Sequence, residues 1–326
     1  MIPIKYPRVV SRTKARGHAA AEGLHPSRLM GHPKSRTAVS ELVLRPLWDR
    51  FGVEIAGLDL SHKIPPRTWV AVLAALHRHL VVLFRGQKLT PEELIRVSRG
   101  FGEPIPHVLD HLRLPGHPEI FTLSNEPERP EAIRNGAAYW HTDQSYEAEP
   151  ASATMLYAIQ VPRVGGETLF ADMNSAYDDL PAEKRRELHG LKVVHLYGNR
   201  DAGMYGEPIA APLINQEQVE RVPAIAHPLV RPHPVTGRKA LYAVAGTSQG
   251  ILDWPAERGM ELLAELKKHA TQPRYVGSHK YEVGDLIVWD TAATLHAGIP
   301  IPASTGNDDR RLMHRISVRG RPPLLQ

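Results

Sequence analysis

The sequence predicts a mainly β fold with flanking helices, a sandwich or barrel, and three observations carry that expectation. From Glu119 onward the apolar residues come in short β-like runs. Only a few stretches show helical spacing. Strands and helices do not alternate in the regular way that builds parallel units.

The elements follow in chain order. Residues 1–40 carry eight Lys/Arg against Glu22, a net charge of +7; with the whole chain at +5, residues 41–326 are left at −2. A segment this basic and this rich in Pro, Gly, Ser and Ala buries little apolar surface and reads as a flexible extension. The compact domain, 41–326, is expected to begin near Glu41, where Leu42, Val43, Leu44, Phe51, Val53, Ile55 and Leu58 supply strand-like apolar residues. Trp69, Val72, Leu73 and Leu76 stand at helical spacing over 67–79, and 81–84 reads as a buried strand. Thr90-Pro91-x-Glu93 is a capping box with proline in the first helical position, so a second helix starts there and ends near Gly100 and Gly102. Strands are expected at 120–123, 154–161, 168–171, 275–279, 286–289 and 312–318, and helices at 174–191 and 255–270.

Composition narrows the function. With 42% hydrophobic residues in 326, the chain supports a sizeable core, and no apolar run reaches the roughly 18 residues of a membrane span. No secretion signal is visible, so the expectation is a cytoplasmic protein with no membrane partner. The sequence pI near 9.4 invites a nucleic-acid reading, but the positive charge sits in the tail, which reads as a solvated extension rather than an anion-binding arm, and no nucleic-acid partner is expected. Cysteine is absent, which excludes disulfides, thiolate ligands and cysteine nucleophiles. Any metal must be held by His, Asp or Glu.

His141-Thr142-Asp143 places two such groups at i and i+2, which share a face in an extended segment while Thr142 points away. About 0.7 such triplets arise by chance from this many His and Asp. A rival, His117-Pro118-Glu119, follows Pro115-Gly116 in what reads as a loop. A two-His, one-carboxylate triad leaves three coordination positions open and needs a third ligand. His296, just beyond the 286–289 strand where the chain leaves a sheet, is the candidate. In the 312–318 strand Arg311, Met313 and Arg315 share one face. Two guanidinium groups on one cavity imply two anionic groups to grip.

Phe101-Gly102-Glu103, Trp140-His141-Thr142-Asp143, Gly165-Gly166-Glu167-Thr168-Leu169-Phe170, Gly284-Asp285-Leu286, Trp289-Asp290 and Arg311 to Arg315 stand in the order found in the taurine dioxygenase family. From about Pro46 to its end the chain resembles that family, which includes phenoxyacetate-herbicide and alkylsulfate dioxygenases. The resemblance implies a double-stranded β-helix, or jelly roll, with Fe(II) held by His141, Asp143 and His296. It implies 2-oxoglutarate as co-substrate, chelated to the iron and gripped at its distal carboxylate by Thr168 and Arg311, and O2 as oxidant. It suggests His107 and Arg315 for the head group of a small anionic substrate, a sulfonate, carboxylate, sulfate or phosphonate, with Tyr146 lining the pocket. Family members are commonly dimers or tetramers, so a homo-oligomer is expected. Asp143 argues against halogenation, for which related enzymes replace this carboxylate by a small residue. Three positions depart from the pattern: Ala137 replaces the polar residue of taurine enzymes, which puts taurine in doubt, Thr291-Ala292 replaces Asn-Arg, and the 297–309 loop is long. The stretch 125–139 is expected to form a mobile cover. Two other classes compete: a metallohydrolase using the same ligands to activate water, and a non-catalytic jelly-roll binding protein.

Overall fold

The computed structural model describes residues 42–197 and 216–320, so the basic extension of residues 1–40 lies outside the described residues. The largest sheet has nine strands. Its main path runs Val43–Pro46, Val53–Ala56, Val81–Phe84, Leu286–Asp290, Ala153–Gln160, Leu312–Arg319, His117–Ser124 and Arg113–Leu114, with Glu103–Ile105 also on Leu312–Arg319. One three-stranded sheet joins Val276–His279, Thr168–Asp172 and Thr294–Gly298; another joins Ile225–Pro228, Lys192–His195 and Ser248–Ile251. Pairing is antiparallel apart from Val53–Ala56 with Val81–Phe84.

The period of two along the central strands sorts their residues into two cores. Leu286 and Val288, with Val82, Phe84, Met155, Ile316 and Val318, pack against Trp69, Val72, Leu73 and Leu76 of helix Pro66–His79 and Leu94 of helix Pro91–Ser98. Ile287, Trp289, Leu156 and Met313 point the other way, toward Phe170, Ala171 and Leu295 of the smaller sheet. The large sheet is therefore buried on both faces, with the helices outside. Arg311, Met313 and Arg315 lie on the inner face, as their parity requires.

The expected strands form with bounds shifted by up to three residues, and the Thr90–Glu93 capping box closes on both sides. Three expectations are corrected. The helix expected over 174–191 is two, Met173–Asp178 and Ala182–Glu187, because Pro181 cannot continue a helix and disfavours the α conformation at Leu180. His117-Pro118-Glu119 opens the strand His117–Ser124 rather than a loop. His296 lies inside a strand of its own, Thr294–Gly298, rather than beyond the end of Leu286–Asp290.

Candidate metal and co-substrate site

His141 and His296 are joined by a β-bridge, with reciprocal N–H to carbonyl bonds of 2.9 Å. Asp143 comes from the turn that follows, where Gln144 adopts φ 52°. His141 Nε2 stands 3.8 Å from Asp143 Oδ1, and His296 Nε2 stands 3.5 Å from Asp143 Oδ2. His141 Nδ1 donates to the Tyr139 carbonyl at 2.8 Å, which leaves the Nε2 lone pair for the cluster. Packing orients His296: the Trp289 ring lies 4.7 Å away and the His141 ring 4.1 Å. Close approach of the chain at Gly246 (φ +84°) completes the frame, since a Cβ there would lie 2.6 Å from His141 Cβ.

Electrostatics prepare these groups for a cation. Burial pushes the His296 pKa down to about 3, with His141 adding to the effect, so the imidazole is a neutral ligand at ordinary pH. Burial alone raises the Asp143 carboxyl, but Arg315, His296 and His141 outweigh it and hold it far below the usual carboxylate range. Arg315 Nη2 donates to Asp143 Oδ1 at 2.5 Å, whereas Asp143 Oδ2 is buried without a hydrogen-bond partner. An unpaired buried carboxylate oxygen beside two imidazoles fits a bound divalent metal.

The cluster is the shared wall of two cavities. One reaches from His296 and Trp289 to Thr168, Arg311 and Arg134. Thr168 follows Gly165 and Gly166, both left-handed (φ +79° and +77°), as the expected turn requires. The Tyr281 hydroxyl donates to Thr168 Oγ1 at 2.9 Å, which leaves the Thr168 proton for an acceptor in the cavity. Burial pushes Tyr281 up to about 12, so it stays a neutral donor. Neither Tyr281 nor Arg134 stood out in the sequence, because both lie outside the recognisable motifs.

The other cavity is lined by Leu112, Phe121, Ile133, Tyr146 and Tyr197, with His107 and Arg315 its basic groups. His107 packs its ring 4.3 Å from Phe121 and accepts the Leu109 N–H on Nδ1 at 3.1 Å. Tyr146 is buried, 4.3 Å from Tyr197. Arg315 borders both cavities, but its Nη2 is taken by Asp143. The segment expected as a mobile cover runs over both. Ile133 faces one side and Arg134 the other, and Asn135 ties the segment down by exchanging hydrogen bonds with Ile301 at 3.2 and 3.0 Å.

Among the described residues a second trio, His77, His233 and Asp290, also brings three donor atoms within 4.8 Å of one another. Hydrogen bonding marks it as structural. Val235 and Thr236 N–H groups donate to His233 Nδ1 at 3.1 and 3.0 Å, so Nε2 carries the proton and donates to Asp290 Oδ2 at 2.8 Å. A metal on that nitrogen would leave an imidazolate. The chain is therefore expected to take up one Mn(II) per molecule. His233→Ala is expected to lower stability by about 1–3 kcal/mol, the cost of buried polar groups left unpaired, with that stoichiometry unchanged. Thermal melts and metal analysis of the two proteins check both parts. His117 and Glu119 join neither trio, and His117 Nε2 stands 3.5 Å from Glu92.

Comparison with known proteins places this geometry. The model of the taurine catabolism dioxygenase TauD, TfdA family matches residues 43–317. The alpha-ketoglutarate-dependent 2,4-dichlorophenoxyacetate dioxygenase of Burkholderia sp. (strain RASC) is 32% identical over 296 residues, 87% of this chain and 95% of that protein. The pentalenolactone F synthase of Streptomyces arenae is 34% identical over 75% of this chain and 84% of its own. The crystal structure of AAD-2 in complex with Mn(II) and N-oxalylglycine superposes with a TM-score of 0.72 at 29% identity, covering 85% of this chain and 98% of the other. The matched span takes in both histidines, Asp143, Thr168 and the arginine strand, and the chain belongs to the taurine catabolism dioxygenase TauD, TfdA family.

Proposed function

We propose that His141, Asp143 and His296 hold the iron of an iron(II)- and 2-oxoglutarate-dependent dioxygenase, that Thr168 and Arg311 grip the distal carboxylate of 2-oxoglutarate, and that the aromatic cavity receives the substrate. The observation that carries this is the placement of the trio as the wall between two cavities, one ending in a cation and a hydroxyl donor, the other largely apolar. Three ligands on one side of an ion leave three positions open, enough for a two-point chelate and one more molecule. Bound iron with 2-oxoglutarate and O2 supplies the oxidation, one oxygen atom ending in succinate and the other in the hydroxylated product as CO2 is released.

The protein's share is placement. Thr168 donates its hydroxyl proton and Arg311 its charge to the far carboxylate, which fixes the near end toward the trio. His107 and the unengaged side of the Arg315 guanidinium are the donors for an anionic head group, and Tyr146 walls the pocket as a neutral phenol. With so much aromatic and aliphatic lining, an anion with an apolar body fits better than a small zwitterion like taurine. The relative named for 2,4-dichlorophenoxyacetate supports the same class. In the same reading the large and small sheets form the jelly roll of the family and residues 41–326 make one domain.

Anaerobic addition of Fe(II) and 2-oxoglutarate is expected to produce the weak visible charge-transfer absorption of the chelate, followed by succinate formation on admission of O2. A parent protein with neither signal would overturn the assignment. Oxygen consumption coupled to aryl carboxylates, and not to taurine, checks the substrate class.

A further inference from the structure

Asp143 is held by more than Arg315. On strand Leu312–Arg319 Ser317 shares the Arg315 face, and it stands opposite Thr154 in the pairing with Ala153–Gln160. Arg315 Nη2 lies 3.1 Å from Ser317 Oγ, and Ser317 Oγ lies 2.9 Å from Thr154 Oγ1. Thr154 lies near enough to the Asp143 carboxylate to favour its charged form. Both hydroxyls are buried, Thr154 at 0% and Ser317 at 5% exposure.

The proton directions follow from chemistry. A guanidinium only donates, so Arg315 gives to Ser317 Oγ as well as to Asp143 Oδ1. Ser317 Oγ shares a further hydrogen bond with Thr154 Oγ1. One chain of contacts results: Arg315 Nη2 bridges Asp143 Oδ1 and Ser317 Oγ, and Thr154 holds Ser317 in place. The hydroxyl pair therefore fixes the guanidinium that grips the carboxylate.

We infer that Thr154 and Ser317 are positioning residues for the metal, a hydroxyl pair that locks Arg315 onto one oxygen of Asp143 and leaves the other, Oδ2, as the oxygen presented beside His296. The inference rests on the reading of the trio as the metal site. Neither hydroxyl belongs to the trio, so they act through Arg315 and Asp143. Without the pair the Arg315 guanidinium is free to swing, and either oxygen of the carboxylate can turn to it. Groups that orient a ligand in this way are worth about 10- to 100-fold in metal affinity.

The test is Mn(II) affinity under anaerobic conditions, read from the electron paramagnetic resonance of free Mn(II), with the visible spectrum of the Co(II) form as a second readout. Thr154→Val keeps the shape and removes the hydroxyl; Thr154→Ser keeps the hydroxyl and removes a methyl. Thr154→Val and Ser317→Ala are each expected to weaken Mn(II) binding by about 10-fold or more and to change the Co(II) spectrum, while Thr154→Ser stays within about 2-fold of the parent. If Thr154→Val does not fold, Ser317→Ala decides. Parent-like Mn(II) affinity in the hydroxyl-deleted variants, whatever their melting temperatures, overturns the inference. Parent-like affinity in His141→Ala overturns the metal-site reading itself, a different pattern.

Discussion

Arg311→Gln is expected to weaken 2-oxoglutarate binding by about 30- to 1,000-fold with little change in Mn(II) affinity. The side chain borders the Thr168 end of the cavity, and its Nε is buried without a partner, so a carboxylate placed there meets a guanidinium already stripped of water. Removing one partner of a desolvated, hydrogen-bonded charge pair costs about 2–4 kcal/mol, from which that range follows. Thr168→Val removes a neutral hydroxyl from the same carboxylate and is expected to cost only about 1 kcal/mol, roughly 5-fold. It also strips the Tyr281 hydroxyl of its acceptor. Calorimetric titration of the Mn(II) form with 2-oxoglutarate measures both. The order matters as much as the size. If Arg311→Gln binds as the parent does, the distal carboxylate lies elsewhere, and Arg134, on the same cavity, becomes the cation to test.

How far the sequence reaches differs between these groups for physical reasons. His141 and Asp143 sit two residues apart, and the parity of strand Leu312–Arg319 puts Arg311 and Arg315 on one face, so local pattern suffices. The partner of Arg315 is another matter. Its parity points it inward, but Asp143 lies 172 residues away, and no local rule separates a substrate-binding arginine from one that holds a carboxylate. The strand that carries His296 escaped because Thr294–Gly298 is buried nearly throughout and so lacks the alternation that marks a half-exposed strand. The second trio draws on a helix, a turn and a strand. Only the fold brings these together, and only their hydrogen bonds show that they do not form a metal site.

Asp143→Asn is expected to abolish succinate formation and to weaken Mn(II) binding by at least about 1,000-fold. Two effects add. The trio loses its anionic ligand, and Arg315, which donates to Asp143 Oδ1, becomes an unbalanced, largely buried cation facing the incoming dication. Breaking such a pair by removing one partner costs about 3–5 kcal/mol, so the variant is also expected to melt earlier than the parent. The folded carboxyl is depressed below its unfolded value near 3.8. Its contribution to stability is therefore present above that pH and lost as pH falls through the folded value. The stability gap between parent and variant should accordingly hold through neutral pH and narrow only in strong acid. A second change separates the two effects. Asp143→Asn with Arg315→Gln removes the unbalanced cation and is expected to recover much of the lost melting temperature while leaving Mn(II) binding and succinate formation abolished. Recovery of stability without recovery of metal makes Asp143 a ligand rather than only the counter-ion of Arg315. Full Mn(II) affinity in either variant would show that the carboxylate of the site has been misassigned.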